Sequence, residues 1–129
     1  QWLPPAGALR ERIRQLGQQA GGLVAQQDGK RQAIEIIGKE LASLEPLLKQ
    51  GIIPATRVYA LQRDAADLTG ELGNLVASAA EVKGKIAETE LQIIQLATQA
   101  QLVSEQLRQA QSDTGEYAER LVAVEDDLK

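Results

Sequence analysis

The sequence predicts an all-α fold, a long antiparallel helical coiled-coil hairpin, on three observations. Apolar residues recur at alternating spacings of three and four along two long stretches, which is the period of a coiled-coil seam. Residues 49–54 separate these stretches and contain a glycine that can end a helix and a proline that suits the start of the next. Ala, Leu, Gln and charged residues dominate, with no Phe and one Trp, which is typical of extended helices.

The first five residues are predicted to end a preceding element. They contain Trp2 and the Pro4-Pro5 pair, which stops an incoming helix and can open the next one. The chain begins with Gln1 and contains no Met, which indicates a piece of a larger protein. We assign 1–129 to a single hairpin domain, with helix one over 6–48, the tip over 49–54 and helix two over 55–128.

Helix one carries an unbroken seam with two polar layers. Gln27 and Lys30 interrupt the apolar series, and polar layers of this kind fix the register of a coiled coil at some cost in stability. The alternative is that both side chains point partly to solvent in a loosely packed region. The seam positions are Leu9, Ile13, Leu16, Ala20, Leu23, Gln27, Lys30, Ile34, Ile37, Leu41, Leu44 and Leu48.

Helix two continues the same alternation far beyond the reach of helix one. Folding the chain at Gly51 places Leu48 against Val58, Ile34 against Leu72 and Leu9 against Leu96. The seam positions are Val58, Leu61, Ala65, Leu68, Leu72, Leu75, Ala79, Val82, Ile86, Thr89, Ile93, Leu96, Ala100, Val103, Leu107, Ala110, Thr114, Tyr117, Leu121, Val124 and Leu128. We call Ala100–Leu128 the lower seam and expect another segment to cover it, such as a helix that ends at Leu3.

A second apolar strip flanks the seam of helix two at helical spacing. Its small residues would permit close lateral approach of a neighbouring hairpin. The alternative is sequence drift on a tolerant surface. This lateral face consists of Ala80, Gly84, Ala87, Leu91 and Ile94.

The composition argues against several classes of function. There is no His and no Cys, so the usual metal ligands, proton-transfer bases and thiol nucleophiles are missing, and we predict no catalytic residue, metal or cofactor. A net charge of −4 gives no electrostatic reason to bind nucleic acid. No apolar run approaches the roughly 20 residues needed to cross a bilayer, so we expect no membrane contact by this segment.

The tip carries two bulky residues where a turn more often has Asn, Asp or Ser. Ile52 and Ile53 therefore indicate a binding surface, although they could instead only pack back on the end of the hairpin. We predict an apolar contact with two polar neighbours, Arg57 and Tyr59. The predicted partner-binding residues are Leu47, Gly51, Ile52, Ile53, Pro54, Arg57 and Tyr59.

The run from Leu44 through Leu47-Leu48-Lys49-Gln50-Gly51-Ile52-Ile53-Pro54 to Leu61 resembles the hairpin tip of periplasmic membrane fusion proteins. These are the adaptors of bacterial type I secretion systems, related to haemolysin D and the protease-secretion adaptors. The stretch Ile86–Leu96 and the ending Arg120–Leu128 are similar to the second helix of the same family.

This resemblance implies a hairpin inserted in a lipoyl-like domain of an adaptor that lies in the periplasm and is anchored in the inner membrane. Such adaptors assemble as rings, commonly hexamers, and link an inner-membrane ABC transporter to a TolC-like outer-membrane channel through their tips. Leu47 matches the Leu of an Arg, Leu and Ser set around the tip, whereas Ser43 and Pro54 replace the Arg and the Ser. A drug-efflux adaptor and a structural dimerising coiled coil are the alternative functions.

Overall fold

Two long α-helices joined by a short turn make up the structure. The computed structural model describes the backbone of residues 3–129 and the side chains of residues 6–129. Helix α1 spans Leu3–Lys49 and helix α2 spans Ala55–Leu128, and the two pack against each other. At 1.5 Å per residue they are about 70 Å and about 110 Å long. The predicted all-α hairpin with an overhanging second helix is confirmed.

Helix α1 begins earlier than the sequence indicated. The prediction placed residues 3–5 before the helix, whereas the structure includes them in its first turn. The first N–H groups of a helix have no intrahelical partner, so prolines at positions 4 and 5 remove no hydrogen bond there. Gln1 and Trp2 lie outside the described part of the chain, and a preceding element stays a prediction.

The core of the hairpin is the predicted seam. Of the side chains described, every one that is buried occupies a seam position, and none is fully enclosed, because two helices can cover each other along one stripe only. Thr89 is among them, and its hydroxyl donates to the Lys85 carbonyl at 2.7 Å, so the buried oxygen has a partner. The buried residues are Leu16, Gln27, Val58, Leu61, Ala79, Val82 and Thr89.

The two polar layers of helix one differ in environment. Gln27 is only 7% exposed, and its Nε2 donates to the Leu75 carbonyl at 3.3 Å. Lys30 is half-buried and forms an ion pair with Glu71 on α2, with Nζ and Oε2 2.7 Å apart. Gln27 is therefore a buried polar layer, and Lys30 lies at the edge of the seam.

Both polar side chains reach beyond the residues that the predicted register places level with them. Continued along the seam, that register puts Gln27 level with Ala79 and Lys30 level with Leu75. The observed partners, Leu75 and Glu71, lie one turn of α2 nearer the tip. A seam residue packs between successive residues of the facing helix, so periodicity alone does not select one of them.

Replacing Gln27 by leucine is expected to raise the free energy of unfolding by about 1 kcal/mol, because an apolar side chain suits the seam better than an amide. The Leu75 carbonyl lies inside α2, where it is also placed to accept from the helix backbone, so it is not left without a donor. Urea denaturation followed by circular dichroism would measure the change. Gln27→Ala, which removes the amide without adding apolar bulk, is the control and should be less stable than the leucine variant. A leucine variant no more stable than wild type would contradict this account.

Helix α2 extends past the start of α1, and no other described segment packs against that extension. Beyond Leu96, all residues except Asp113 are exposed, including the large side chains of the lower seam. At 1.5 Å per residue the lower seam covers about 40 Å of helix. At the seam positions of this stretch, the exposed large hydrophobic residues are Val103, Leu107, Tyr117, Leu121, Val124 and Leu128.

Candidate functional site: the hairpin tip

Helix α1 ends in a Schellman motif built around Gly51. The Ile52 N–H donates to the Leu47 carbonyl at 2.9 Å and the Gly51 N–H donates to the Leu48 carbonyl at 3.0 Å. Gly51 has a φ of 71°, a left-handed conformation that glycine adopts without steric cost. These bonds satisfy carbonyls at the end of α1 and fix the direction in which the chain leaves the helix.

The entry into α2 is set by Pro54. It is the N-cap residue, with φ −75° and ψ 147°, and its carbonyl accepts from the Arg57 N–H at 3.2 Å. Pro54 thus lies one residue before the first turn of α2, which begins at Ala55. A proline φ near −65° fits this extended N-cap position. Its side chain makes no capping hydrogen bond.

The tip presents an apolar surface to solvent. Ile52 is 63% exposed, and Tyr59 is also exposed on the first turns of α2. Gly51, Pro54 and Arg57 are exposed, while Leu47 and Ile53 are half-buried against the end of the hairpin. The two isoleucines therefore differ, since Ile53 packs partly on the hairpin and Ile52 projects from it. Whether these residues bind a partner stays a prediction.

The charged groups beside this apolar surface are mostly cations, and the one ion pair described among them is exposed and weak. Lys49 lies 3.5 Å from Glu45 in a pair with both side chains exposed, which contributes little to stability. Helix α2 has no acidic residue in its first turn, so no carboxylate offsets the partial positive charge of its N-terminus. Arg57 adds a further cation beside it. The tip thus suits a partner that combines apolar side chains with carboxylates or carbonyl oxygens.

The clearest pKa shifts lie far from the tip, on exposed α1. A hydrogen bond from the Arg14 guanidinium lowers the pKa of Glu11, and the same bond raises the pKa of Arg14. Both side chains are exposed, as is usual for neighbours three residues apart on a helix surface. This pair belongs to the solvated face of α1 and forms no part of a site.

The lateral face lies on the surface of α2. All five of its residues are exposed, with Leu91 and Ile94 among the large exposed hydrophobic side chains. Within residues 6–129 no cluster of three or more His, Cys, Asp or Glu side chains could hold a metal ion. Neither described helix has a stretch long and apolar enough to cross a membrane.

Sequence reasoning missed an open groove on one side of the hairpin. The groove has a volume of about 580 Å³ and lies between α1 and α2 beside the Lys30–Glu71 pair. Its lining combines the seam residues Lys30, Leu68 and Leu75 with residues beside the seam, and the heptad spacing does not show which of them border a common groove. The residues that line it are Gln26, Gly29, Lys30, Ala33, Leu68, Glu71, Asn74, Leu75 and Ser78.

Comparison with known proteins assigns the hairpin to a family. The family model described as AprE, long alpha-helical hairpin, matches residues 6–127. The type I secretion system membrane fusion protein PrsE of Rhizobium meliloti (strain 1021) is 35% identical over 124 residues. That alignment covers 95% of this chain but 28% of the relative, so the chain spans little more than a quarter of that protein. No solved structure matches the chain significantly. The chain therefore belongs to the AprE family of long α-helical hairpins, and its resemblance to membrane fusion proteins of type I secretion systems is confirmed.

Proposed function

We propose that this hairpin is the periplasmic bridge of a type I secretion adaptor, and that its tip docks on a TolC-like outer-membrane channel. The adaptor joins that channel to an inner-membrane ABC transporter and carries out no catalytic step. The full-length protein is anchored in the inner membrane and forms a closed ring, a hexamer on the family resemblance.

The observation that carries this proposal is the exposed apolar side chain of Ile52 on a conformationally fixed turn. The Schellman bonds hold the turn without help from a partner, so the tip is prepared for binding before contact. The side chain of Ile52 contributes nothing to the seam, so packing inside the hairpin does not explain its apolar character. A docking role explains why this residue projects outward while Ile53 packs partly against the hairpin.

The dimensions of the hairpin also support a bridging role. Helix α2 is 74 residues long, so the tip stands about 110 Å from its far end. A surface carried at that distance can meet a partner remote from the membrane anchor. The coiled-coil seam keeps the two helices together over the length of α1.

Site-specific photo-cross-linking in living cells tests the proposal. A photoreactive residue replaces Ile52 in the full-length adaptor, in cells that contain the ABC transporter and the TolC-like channel. We expect a covalent product between the adaptor and the channel. The matched control places the same residue at Ile36, which is 58% exposed and about 20 Å along α1 from its end at the tip, and it should give no channel product.

The products formed at Ile52 decide between functions. Channel cross-links at Ile52 and none at Ile36 would support docking through the tip. Efficient incorporation at Ile52 with only adaptor–adaptor products would overturn the docking role and favour a dimerising coiled coil. Equal channel yields from both positions would mean that the channel meets the side of the hairpin.

A further inference from the structure

The first half of α1 contains the densest group of glycines in the chain. Three of the six residues from 17 to 22 are glycine, at positions 17, 21 and 22. A Cβ atom added at any of them would meet no other atom within 4 Å, so packing inside the hairpin does not require glycine there. Each glycine lowers the equilibrium constant for helix formation about fivefold relative to alanine, and the three together lower it about a hundredfold. This part of α1 therefore depends on its contacts with α2 to stay helical.

The contacts that hold the first half of α1 against α2 are apolar. Gln27 and Lys30 are bound to α2 by polar contacts, a hydrogen bond to the Leu75 carbonyl and an ion pair with Glu71. Closer to the start of α1, no side chain described from residue 6 onward forms a hydrogen bond or an ion pair with α2. The first turn of α1 also has no acidic residue to offset the partial positive charge of the helix N-terminus. Polar contacts with α2 thus end at Gln27.

These apolar contacts cover the seam of α2 beyond Leu75. The helices are antiparallel and Gln27 reaches Leu75, so residues of α1 before Gln27 face residues of α2 after Leu75. Ala79, Val82 and Thr89 lie in that stretch and are only 5%, 3% and 3% exposed. Helix α2 continues past the start of α1 although no described segment packs against it there. The two helices are therefore unequal in this region, since α2 also forms without α1 and α1 is weakened by glycine.

We infer that residues 3–26 of α1 form a strap, a segment that opens from α2 as one unit while the hairpin from Gln27 to the tip stays closed. Opening uncovers the α2 seam from Ala79 onward and joins it to the lower seam. The exposed seam then runs from Ala79 to Leu128, about 75 Å at 1.5 Å per residue, compared with about 40 Å when the strap is closed. The strap is a property of the hairpin and does not depend on what the tip binds.

Amide hydrogen exchange of the 129-residue chain, followed by mass spectrometry of overlapping peptides, tests the strap. A low protein concentration keeps the lower seam from pairing with a second copy. After correction for intrinsic rates, we expect the amides of residues 13–23 to share one protection factor and to exchange at least tenfold faster than those of residues 34–44. Rates that fall steadily from residue 9 to residue 27 would indicate fraying one residue at a time. Equal protection of the two segments would mean that α1 opens only as a whole, and either result would overturn the inference.

Two alanine variants form a matched pair for this experiment. Gly21→Ala strengthens the helix inside the strap and should slow the exchange of residues 13–23 about fivefold. Gly38→Ala makes the same change nearer the tip, also at an exposed position with open space around the added Cβ. It should slow the exchange of residues 34–44 and leave that of residues 13–23 unchanged, because opening of the strap does not unfold residue 38.

The effects of the two variants on residues 13–23 decide the outcome. If Gly38→Ala slowed both segments equally, the strap would open only together with the rest of the hairpin, and the inference would be overturned. No effect of Gly21→Ala on residues 13–23 would overturn it too, since the exchange of this segment would then not depend on the stability of its helix.

Discussion

Replacing Gly51 by valine is expected to lower the free energy of unfolding by about 2 kcal/mol. Gly51 has a φ of 71°, and a β-branched side chain in the left-handed region clashes with its own backbone. Either the turn keeps its conformation under strain, or it relaxes and loses the two Schellman hydrogen bonds. Thermal unfolding of the 129-residue chain, followed by circular dichroism at 222 nm, would measure the loss.

The matched control for this experiment is Gly38→Val. Gly38 also has open space around an added Cβ, but it lies inside α1 with an ordinary helical φ. Valine has a higher helix propensity than glycine, so this variant should be unchanged or slightly more stable. Equal losses of stability in both variants would mean that the positive φ of Gly51 does not determine the stability of the turn.

A single aspartate is expected to have opposite consequences at two seam positions of the same helix. Val82 is 3% exposed beneath α1, so Val82→Asp buries a carboxylate without a partner and should cost about 3–5 kcal/mol. Val124 is 54% exposed beyond the end of α1, and Val124→Asp should leave the stability of the hairpin nearly unchanged. Urea denaturation of the two variants would measure their free energies of unfolding. The comparison shows what the same substitution costs where α1 covers the seam and where it does not.

Analytical sedimentation of the same proteins tests whether the exposed lower seam causes self-association. We expect the wild-type chain to self-associate at high concentration by hiding Ala100–Leu128 against a second copy, and Val124→Asp to weaken that association. A wild-type chain that stays strictly monomeric at high concentration would show that the lower seam does not self-pair. Similar stabilities for Val82→Asp and Val124→Asp would contradict the burial of Val82 beneath α1.

The fold could be predicted from the sequence because many heptad positions repeat the same spacing signal. Leu16, Val58 and Val82 are buried at positions that the alternation of threes and fours selects, and the polar exceptions Gln27 and Thr89 occupy the same series. Each position is supported by its neighbours three and four residues away, so one unusual residue does not obscure the pattern. The exposed lower seam followed from comparing the lengths of the two stretches.

Periodicity says which side of a helix faces its partner but not how far the two helices are shifted along each other. The spacing therefore did not predict that Gln27 would contact Leu75 or that Lys30 would contact Glu71. The groove was invisible for a related reason, since its volume depends on how small residues such as Gly29 and Ala33 combine across two helices.

At the tip, the turn was easier to predict than its surface. Gly51 marked the end of α1, because few residues tolerate the conformation that ends a helix in this way. The different exposure of Ile52 and Ile53 depends on the exact course of three residues after Gly51, which no spacing rule describes. The binding roles of the seven tip residues and of the lateral face stay predictions, and the Ile52 cross-linking experiment addresses the role of the tip.

The short turn has a mechanical consequence for the whole hairpin. Heptad seams are nearly equivalent when one helix slides along the other by seven residues, about 10 Å, so apolar packing opposes such sliding only weakly. Residues 50–54 tie the end of α1 directly to the start of α2 and forbid sliding at the tip. Resistance to shear should therefore be greatest at the tip and decline towards the start of α1. A pull on the far end of α2 would stretch and bend the hairpin there, while the tip kept its shape.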